Sequence, residues 1–413
     1  MKKRLVKKSD YLWNMLGSVC YSGSSFYYLL LVTRICGVKE AGVFSLAFAT
    51  SQLLLTIGRF GVRTYQATDL GFQYSFKEYG FSRIVTCFAM LLGAVVYVVI
   101  MRFSLWKAGV CIWVTAFKMI DAVEDVFHGE LQRCYRVDLM GKLLAIRNVV
   151  SGIIFTVILF LTNNLLSTCV FTTIGSLLIC CAGNVMVLKH VVKNIGDLHI
   201  RRILDLLKIC FPIFISTFLS LYLYNLPKYA IDFYMEVENQ TYYSILFMPS
   251  FVITLFSEII VKPVMTTVAI EWEKSIEEFC KRIVCIMKMT FCGTVLTVVG
   301  GHVLGRYLLE LIYDVNLSPY RWEFVILLIG GGLSASTYIL YNLLIAIRHE
   351  KCIVITYGFI AVMMTGFIFL NVKKFGMFGA AIGYFMSCLS LCMVFATILI
   401  MLIKKKAKNS LAL

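Results

Sequence analysis

The chain has 413 residues, of which 60% are hydrophobic, and its mean hydropathy is +0.84. Soluble domains are about 45–50% apolar, so this composition excludes an ordinary soluble protein and indicates a polytopic membrane protein. The formal net charge of +16 is compatible with nucleic-acid binding. The positions of the basic residues, however, explain this charge without nucleic acid.

The apolar segments predict a chain that is filled with membrane-spanning helices. A bilayer core of about 30 Å requires roughly 20 apolar residues per helix. The basic N-terminus continues into an apolar run without a small-residue cleavage site, so the first segment is predicted to be a retained helix rather than a signal peptide. Twelve spans are predicted near residues 12–34, 41–60, 83–101, 109–128, 142–161, 165–188, 203–225, 241–261, 281–301, 322–346, 352–370 and 377–403.

The distribution of Lys and Arg residues orients these helices. If the spans alternate in direction, roughly three times as many basic residues fall on the side of the N-terminus as in the opposite loops. Both termini are therefore predicted to be cytoplasmic, and the positive charge faces anionic lipid of the inner leaflet. The predicted fold class is an all-α polytopic membrane protein with two six-helix bundles, residues 1–195 and 196–413.

A weak internal repeat supports two related halves. The segment GVKEAGVFSLAF (37–48) aligns with EVENQTYYSILF (236–247), six predicted spans later along the chain. This spacing predicts that both halves have the same orientation in the membrane. The alternative is chance similarity between two apolar helices.

The fifteen cysteines of the chain do not suggest a disulfide framework. Most lie in apolar segments and no CxxC motif is present, so we interpret them as small hydrophobic residues. The five histidines are scattered along the chain. We therefore predict no metal site and no catalytic residue.

The fourth predicted span carries charges that lipid tolerates poorly. The sequence KMIDAVEDVFHGELQR (118–133) places Lys118, Asp121, Glu124 and Asp125 within two helical turns and on one face. An ionised side chain at the bilayer centre costs about 2.5–3.5 kcal/mol even on the insertion scale. This face is therefore expected to meet a polar cavity. The alternative for Glu124 and Asp125 is solvation at the inner interface.

The acidic residues of this span suggest ion coupling. Asp121 and Asp125 form an i,i+4 pair of like charge, and Lys118 is the nearest cation on the same helix. One hypothesis is a site for a proton or Na⁺ at Asp121, Asp125 and Glu124. No other cofactor is expected.

Further cations lie in or at the ends of other spans. Arg34 closes the first span at the outer surface, and Arg63 follows the second span at the inner surface. Arg147 and Lys288 lie inside the fifth and ninth spans. Together with Lys118 they are predicted to form positive sites along a path for an anion. The alternative for Arg147 and Lys288 is that their long side chains snorkel to the interface.

Several segments resemble a known family. They are LVTRICGVKEAGVFSLAFATSQLLLTIGRFGVRTYQATD (31–69), DAVEDVFHGELQR (121–133), GKLLAIR (141–147) and KKFGMFGAAIGYFMS (373–387). These are similar to Wzx-type flippases for polysaccharides and lipid-linked oligosaccharides, within the multidrug/oligosaccharidyl-lipid/polysaccharide (MOP) exporter superfamily. The resemblance extends along the whole chain. It implies a MATE-like, V-shaped bundle with a cationic cavity between two halves.

The resemblance also implies a substrate and a cellular setting. In the family, the cavity receives the pyrophosphate and sugars of an undecaprenyl-linked repeat unit. Arg34 and Arg147 are implied as ligands of this headgroup, and Lys118 and Lys288 are further candidates. The implied partners are the polyprenyl-linked oligosaccharide, the lipid of the cell (inner) membrane, and the polymerase and glycosyltransferases of the same pathway. The acidic residues of the fourth span depart from a purely cationic cavity.

The sequence therefore predicts a flippase for surface polysaccharide biosynthesis that is not an enzyme. No P-loop motif is present, so energy would come from an ion gradient or from consumption of the substrate outside. The first alternative is a cation-coupled multidrug exporter that binds organic cations at Asp121 and Asp125. The second is a membrane polysaccharide polymerase or ligase, but the longest predicted outer loop, 302–321, carries no recognisable catalytic motif.

Overall fold

The structure is a computed structural model that describes residues 8–69, 71–134, 136–191, 196–261, 264–347 and 349–411. Within these ranges all regular structure is helical, which confirms the predicted all-α fold class. The chain divides into two compact units, Met1–Leu221 and Tyr222–Leu413, and each is described by itself. The predicted division after residue 195, based on an assumed six-helix repeat, stays a prediction.

The N-terminal unit is organised around its fifth helix. Its elements are α1 (Lys8–Ile35), α2 (Val38–Arg59), α3 (Val62–Thr68), α4 (Phe76–Ile100), α5 (Leu105–Arg133), α6 (Val137–Thr162), α7 (Leu165–Val191) and the first part of α8 (Ile200–Tyr234). α5 packs against α2, α4, α6 and α7, whereas α1 packs mainly on α6. Because α5 is surrounded by neighbours, its charged face meets protein.

Local sequence signals fix two helix ends near α5. α4 begins with a capping box, in which Ser75 Oγ accepts from the Glu78 amide at 3.2 Å and Glu78 Oε2 accepts from the Ser75 amide at 2.8 Å. α2 ends where Phe60 and Gly61 adopt φ values of 49° and 69°. Glycine adopts such left-handed conformations without strain, so the chain turns directly from α2 into α3 and leaves Arg59 at the turn.

The first part of α8 belongs to the N-terminal unit because it completes an apolar cluster there. Leu206 and Cys210 of α8 are buried together with Val62, Tyr74 and Tyr79. Burial of apolar side chains is the main stabilising contribution in such a cluster. The N-terminal unit is therefore completed only after α8 has begun.

The segment that precedes α8 is also attached to this unit. Ser75 Oγ donates to the Asp197 carbonyl at 2.6 Å. Arg202 donates to the Gln73 carbonyl and lies 3.5 Å from the Glu78 carboxylate. The turn between α3 and α4 therefore holds residues 197–202 through both backbone and side-chain contacts.

The C-terminal unit contains the rest of α8 and six further helices. These are α9 (Glu238–Val261), α10 (Met265–Lys274), α11 (Ile276–Gly300), α12 (Arg306–Tyr313), α13 (Arg321–Ala346) and α14 (Glu350–Leu411). A π-helical turn at residues 301–305 joins α11 to α12. α13 packs against both α9 and α14, and α14 is broken at Gly376, where φ is 55° and ψ is −129°.

The predicted spans agree with these helices. Each of the twelve coincides with a helix, and nine helical segments of the described residues are long and apolar enough to cross a membrane. α5 and α9 are not among these nine segments, α5 because of its charges, and the last of the nine contains two predicted spans. The prediction of an outer loop over 302–321 is wrong in part, because the backbone is helical as far as Tyr313.

Candidate functional site

The charged face of α5 lies in the interior of the structure. Lys118, Asp121, Glu124 and Asp125 are all buried, although none of these residue types is commonly buried in proteins. An uncompensated charge cannot be buried at acceptable cost, so each of them requires a counter-ion. Lys118 pairs with Asp121 on α5 itself, whereas the arginines that neutralise the carboxylates come from α2, α3, α4 and α6 and divide the face into two groups.

The first group, the deep cluster, consists of Lys118, Asp121 and Glu124 of α5 with Arg147 of α6. Arg147 donates from Nη2 to Asp121 Oδ1 at 2.5 Å and from Nε to Glu124 Oε2 at 2.8 Å. Lys118 Nζ donates to the other oxygen of Asp121 at 3.1 Å. Two cations and two carboxylates are thus neutralised by direct contact.

Aromatic rings cover the remaining surface of the Lys118 ammonium group. Its nitrogen lies 4.9 Å from the ring centroid of Tyr21, 4.7 Å from that of Phe48 and 5.7 Å from that of Phe117. The faces of such rings attract cations at these distances. Lys118 is therefore held by one carboxylate and three rings, and it is only 2% exposed.

The second group, the arginine triad, surrounds Asp125, which lies about one turn beyond Asp121 along α5. It consists of Arg59 at the end of α2, Arg63 in α3 and Arg83 in α4. Arg63 Nη1 lies 3.2 Å from Asp125 Oδ1, and Arg83 Nη2 lies 3.2 Å from Oδ2. Arg59 Nε is 3.9 Å from Oδ1. A single carboxylate thus faces three guanidinium groups.

The excess positive charge of the triad lies at its accessible side. The side chains of Arg59 and Arg63 are 39% and 33% exposed, whereas that of Arg83 is 3% exposed. Among the described residues, the Nε atoms of Arg59 and Arg83 have no hydrogen-bond partner. Guanidinium groups bind carboxylates and phosphates through paired N–H donors. Arg59 and Arg63 are therefore available to an anion that approaches this side.

Arg83 has a different position from the other two arginines. Arg83 and Thr86 both donate to the Gly58 carbonyl, in the last turn of α2. The last carbonyls of a helix have no partner within the helix, so these donors complete the end of α2. Arg83 thereby connects α4, the end of α2 and Asp125, and its contacts are structural.

A third polar layer lies beyond the triad at the end of α5. Gln66 of α3 donates to the Val126 carbonyl at 3.1 Å and to Glu130 at 3.3 Å. Arg133 lies 2.7 Å from Glu130 and 3.8 Å from Asp69. These contacts fix α3 against α5, and so they set the position of the triad.

The structure brings together six of the eight predicted site residues. Four of them form the deep cluster, and the other two are Asp125 and its partner Arg63. All except Arg63 are buried. We expected Lys118 and Arg147 to face a water-filled chamber, but they are 2% and 1% exposed, because carboxylates on α5 neutralise them. Arg147 does not snorkel to the surface for the same reason. The assignment of Lys118, Arg147 and Arg63 as substrate ligands stays a prediction, as does that of Asp121, Glu124 and Asp125 as ion-coupling residues.

The other two predicted residues lie elsewhere. Arg34 is in the last turn of α1 and is exposed. Lys288 is exposed on α11 of the C-terminal unit. Their proposed contact with a substrate headgroup also stays a prediction.

Arg59 and Arg83 are not among the site residues predicted from the sequence. Hydropathy puts Arg83 at the first residue of the predicted span 83–101, where a basic residue is ordinary. The helix in fact begins at Phe76, so Arg83 lies about two turns inside it. The capping box formed by Ser75 and Glu78, which is visible in the sequence SFKE, is the signal that locates the true start.

Among the described residues, no group of three or more His, Cys, Asp or Glu side chains is arranged to hold a metal ion. No disulfide joins the described cysteines. The charged side chains of the site can bind an anion at the triad and exchange ion pairs.

Comparison with known proteins was made at three levels. No protein-family model matches the sequence, and no curated protein is significantly similar to it. Solved structures do match. An inward-facing structure of a multidrug resistance MATE family transporter of the MOP superfamily has a TM-score of 0.73 at 13% identity, covering 95% of this chain and 96% of the other.

Two further solved structures extend this result. The lipid II flippase MurJ in an inward closed conformation has a TM-score of 0.71 at 15% identity, covering 96% of this chain and 91% of its own. A MOP superfamily transporter from Pyrococcus furiosus, described by a reverse polarity of its binding pocket, has a TM-score of 0.60 at 15% identity and covers 97% of both chains. Identities this low establish the fold alone. The chain is a multi-pass membrane protein with the fold of the MOP-superfamily transporters.

Proposed function

We propose that this chain is a MOP-superfamily transporter that flips an undecaprenyl-pyrophosphate-linked oligosaccharide from the inner to the outer leaflet of the cell membrane, for surface polysaccharide biosynthesis. One observation carries the proposal. Arg59, Arg63 and Arg83 surround a single carboxylate, that of Asp125, and two of the three guanidinium groups are partly exposed.

The excess charge of the triad suits a pyrophosphate group. A pyrophosphate that leaves water loses hydration that is very costly to replace, and guanidinium groups can replace it with paired hydrogen bonds. A neutral or cationic substrate would gain nothing from this excess of positive charge. The polyprenyl tail would remain in lipid while the headgroup passes through the protein.

The predicted orientation places the triad on the side where the substrate is loaded. With a cytoplasmic N-terminus, α1 crosses outward and α2 returns, so Arg59 and Arg63 lie at the cytoplasmic side. The oligosaccharide would reach the triad from the glycosyltransferases that assemble it there, and a polymerase would take it up outside. Lys118, Arg147, Arg34 and Lys288 remain proposed contacts at later stages of passage.

Coupling to a proton or Na⁺ gradient is part of the proposal. Asp121, Glu124 and Asp125 are the proposed coupling residues, but each is engaged by at least one Lys or Arg. A coupling ion would therefore bind only when such an ion pair opens. This links ion binding to a change in the packing of α5.

The second candidate function is a cation-coupled multidrug exporter. The high structural similarity to a multidrug resistance MATE family transporter favours it. An organic cation would require an accessible carboxylate, whereas Asp121 and Asp125 are buried against cations. Efflux of a cationic dye from cells that overproduce the chain tests this alternative, and dye efflux without any glycan phenotype would favour it.

The primary experiment is deletion of the gene in its host, followed by complementation. Deletion should remove the surface polysaccharide and accumulate the lipid-linked repeat unit at the inner leaflet. Arg59→Met and Arg63→Met should each fail to restore export at normal protein levels. Arg201→Met, which removes an exposed arginine of α8, is the matched control and should restore it. Normal glycan export in the deletion strain would overturn the proposal.

A further inference from the structure

We infer that Asp125 is an internal stand-in for the transported anion, which holds Arg59 and Arg63 in the empty protein and is displaced from them when a pyrophosphate binds. The inference rests on the proposed function and adds a residue that governs loading and release. It makes Asp125 a positioning residue that competes with the substrate for the same two guanidinium groups.

The two oxygens of Asp125 have different partners. Oδ1 faces Arg63 at 3.2 Å and Arg59 at 3.9 Å, whereas Oδ2 faces Arg83 at 3.2 Å. Arg59 and Arg63, which are partly exposed, thus share Oδ1, and the buried Arg83 contacts Oδ2. A ligand can therefore take the Oδ1 contacts while the Oδ2 contact remains.

The buried arginine of the triad is also held more firmly than the two partly exposed arginines. Arg83 is buried and also bonded to the Gly58 carbonyl, so it cannot leave Asp125 without leaving an unpaired buried charge. The other contacts of Arg63 are weak, because its Nη2 reaches only the Gln132 side chain at 3.5 Å and the Met140 sulfur at 3.2 Å. The partly exposed arginines can therefore turn from Asp125 to a ligand.

The geometry of Arg59 supports a site that is incompletely filled by Asp125. The Arg59 side chain contacts Tyr21, but its buried Nε lies too far from Oδ1 for a hydrogen bond and has no partner of its own among the described residues. Buried donors normally have a partner. A pyrophosphate oxygen beside Arg63 would accept from this donor once the Arg59 side chain turns toward the ligand, whereas the carboxylate of Asp125 does not accept from it.

Exchange between the Asp125 carboxylate and the pyrophosphate explains how the triad can both bind and release the substrate. Two guanidinium groups without a resident carboxylate would hold a pyrophosphate tightly, and release would be slow, because affinity is determined mostly by the dissociation rate. Asp125 returns to the arginines as the pyrophosphate leaves. The carboxylate therefore lowers the affinity and raises the rate of turnover.

The test compares Asp125→Asn with the unchanged chain. The full-length protein, purified in detergent, is titrated with inorganic pyrophosphate by calorimetry, and export is measured by complementation. Asp125→Asn should bind pyrophosphate about tenfold more tightly, because the competing carboxylate is lost. It should also export less glycan. Asp205→Asn, which neutralises an exposed carboxylate of α8, is the control and should bind as the unchanged chain does.

A double variant is included in case Asp125→Asn alone does not fold. Asp125→Asn leaves Arg83 buried without its counter-ion, whereas Arg83→Gln/Asp125→Asn removes both charges and keeps a donor for the Gly58 carbonyl. The double variant should also bind pyrophosphate more tightly than the unchanged chain. Thermal unfolding of all variants identifies those that are folded.

The outcomes separate this inference from the proposed function. If the unchanged chain does not bind pyrophosphate, the anion site of the proposed function is wrong. If the unchanged chain binds it and the folded Asp125 variants bind equally or more weakly, Asp125 is a purely structural anchor and the stand-in inference is overturned, while the flippase proposal stands. Tighter binding combined with slower export supports the inference.

Discussion

The Arg147 guanidinium lies 2.5 Å from the Asp121 carboxylate, and both side chains are almost completely buried. A buried ion pair contributes little net stability relative to apolar packing, but loss of one partner leaves a buried charge without compensation. The pair therefore makes the folded N-terminal unit sensitive to single substitutions at either residue.

Replacement of Arg147 by methionine should destabilise the protein strongly. Arg147→Met leaves Glu124 without its cation, and the free energy of unfolding should fall by about 3–5 kcal/mol. Glu124→Gln/Arg147→Met should recover part of this loss, because Asp121 still has Lys118. Thermal unfolding in detergent measures both effects. Arg201→Met is the control, and a fall no larger than that of Arg201→Met would contradict the prediction.

Replacement of Lys118 should cost less than replacement of Arg147. Lys118→Met removes one of the two cations on Asp121 and the contact with three rings, but Asp121 retains Arg147. The free energy of unfolding should fall by about 1–2 kcal/mol. The variant loses a charge-assisted hydrogen bond, and the apolar packing of the methionine offsets part of that loss. Thermal unfolding in the same detergent compares the two variants. A greater loss of stability for Lys118→Met than for Arg147→Met would show that the deep cluster depends more on Lys118 and would contradict the prediction.

The shape of the Arg63 guanidinium, and not only its charge, should matter for anion binding. Arg63→Lys keeps the charge but lacks the planar fork that binds phosphates through paired donors. Pyrophosphate affinity, measured by calorimetry, should fall about tenfold for Arg63→Met and by a smaller factor for Arg63→Lys. Arg201→Met, which removes an exposed arginine of α8, is the control and should bind pyrophosphate as the unchanged chain does. Equal affinities of Arg63→Met and the unchanged chain would exclude Arg63 from the site.

Attachment of the segment before α8 can be tested at Gly196. Its φ is 72°, and a Cβ atom at this residue would lie 2.5 Å from the Cβ of Ser75. Gly196→Ala should therefore lower the free energy of unfolding by about 1–3 kcal/mol. Gly71→Ala is the matched control, because a Cβ atom there meets open space. Equal melting temperatures for the two variants would show that this attachment does not stabilise the unit.

The sequence was sufficient to predict which face of α5 is polar but not what covers it. Helical periodicity alone places Lys118, Asp121, Glu124 and Asp125 together, and the structure agrees. Their partners Arg83 and Arg147 come from other helices, and a single sequence contains no signal for such contacts across the bundle. From the sequence, Arg147 is therefore predicted to be an anion ligand or a snorkelling side chain, whereas in the structure it pairs with Asp121 and Glu124.

The helices of the last two spans illustrate a similar limit. Hydropathy predicts two spans, 352–370 and 377–403, and both are present in α14. The break between them depends on the left-handed conformation of Gly376, which hydropathy does not describe. Apolar composition therefore predicts the existence of each helix, whereas backbone geometry determines where one helix ends and the next begins.

Because α8 contributes residues to both compact units, it limits how the protein can be expressed as two separate polypeptides. A fragment that stops at residue 195 would lack Leu206 and Cys210 and would leave the apolar side chains of Val62 and Tyr79 uncovered. Such a fragment would be prone to aggregation during synthesis, even if the partner fragment were coexpressed. To keep these contacts within one chain without cutting a helix, the first polypeptide must extend through the whole of α8, to Tyr234 or beyond.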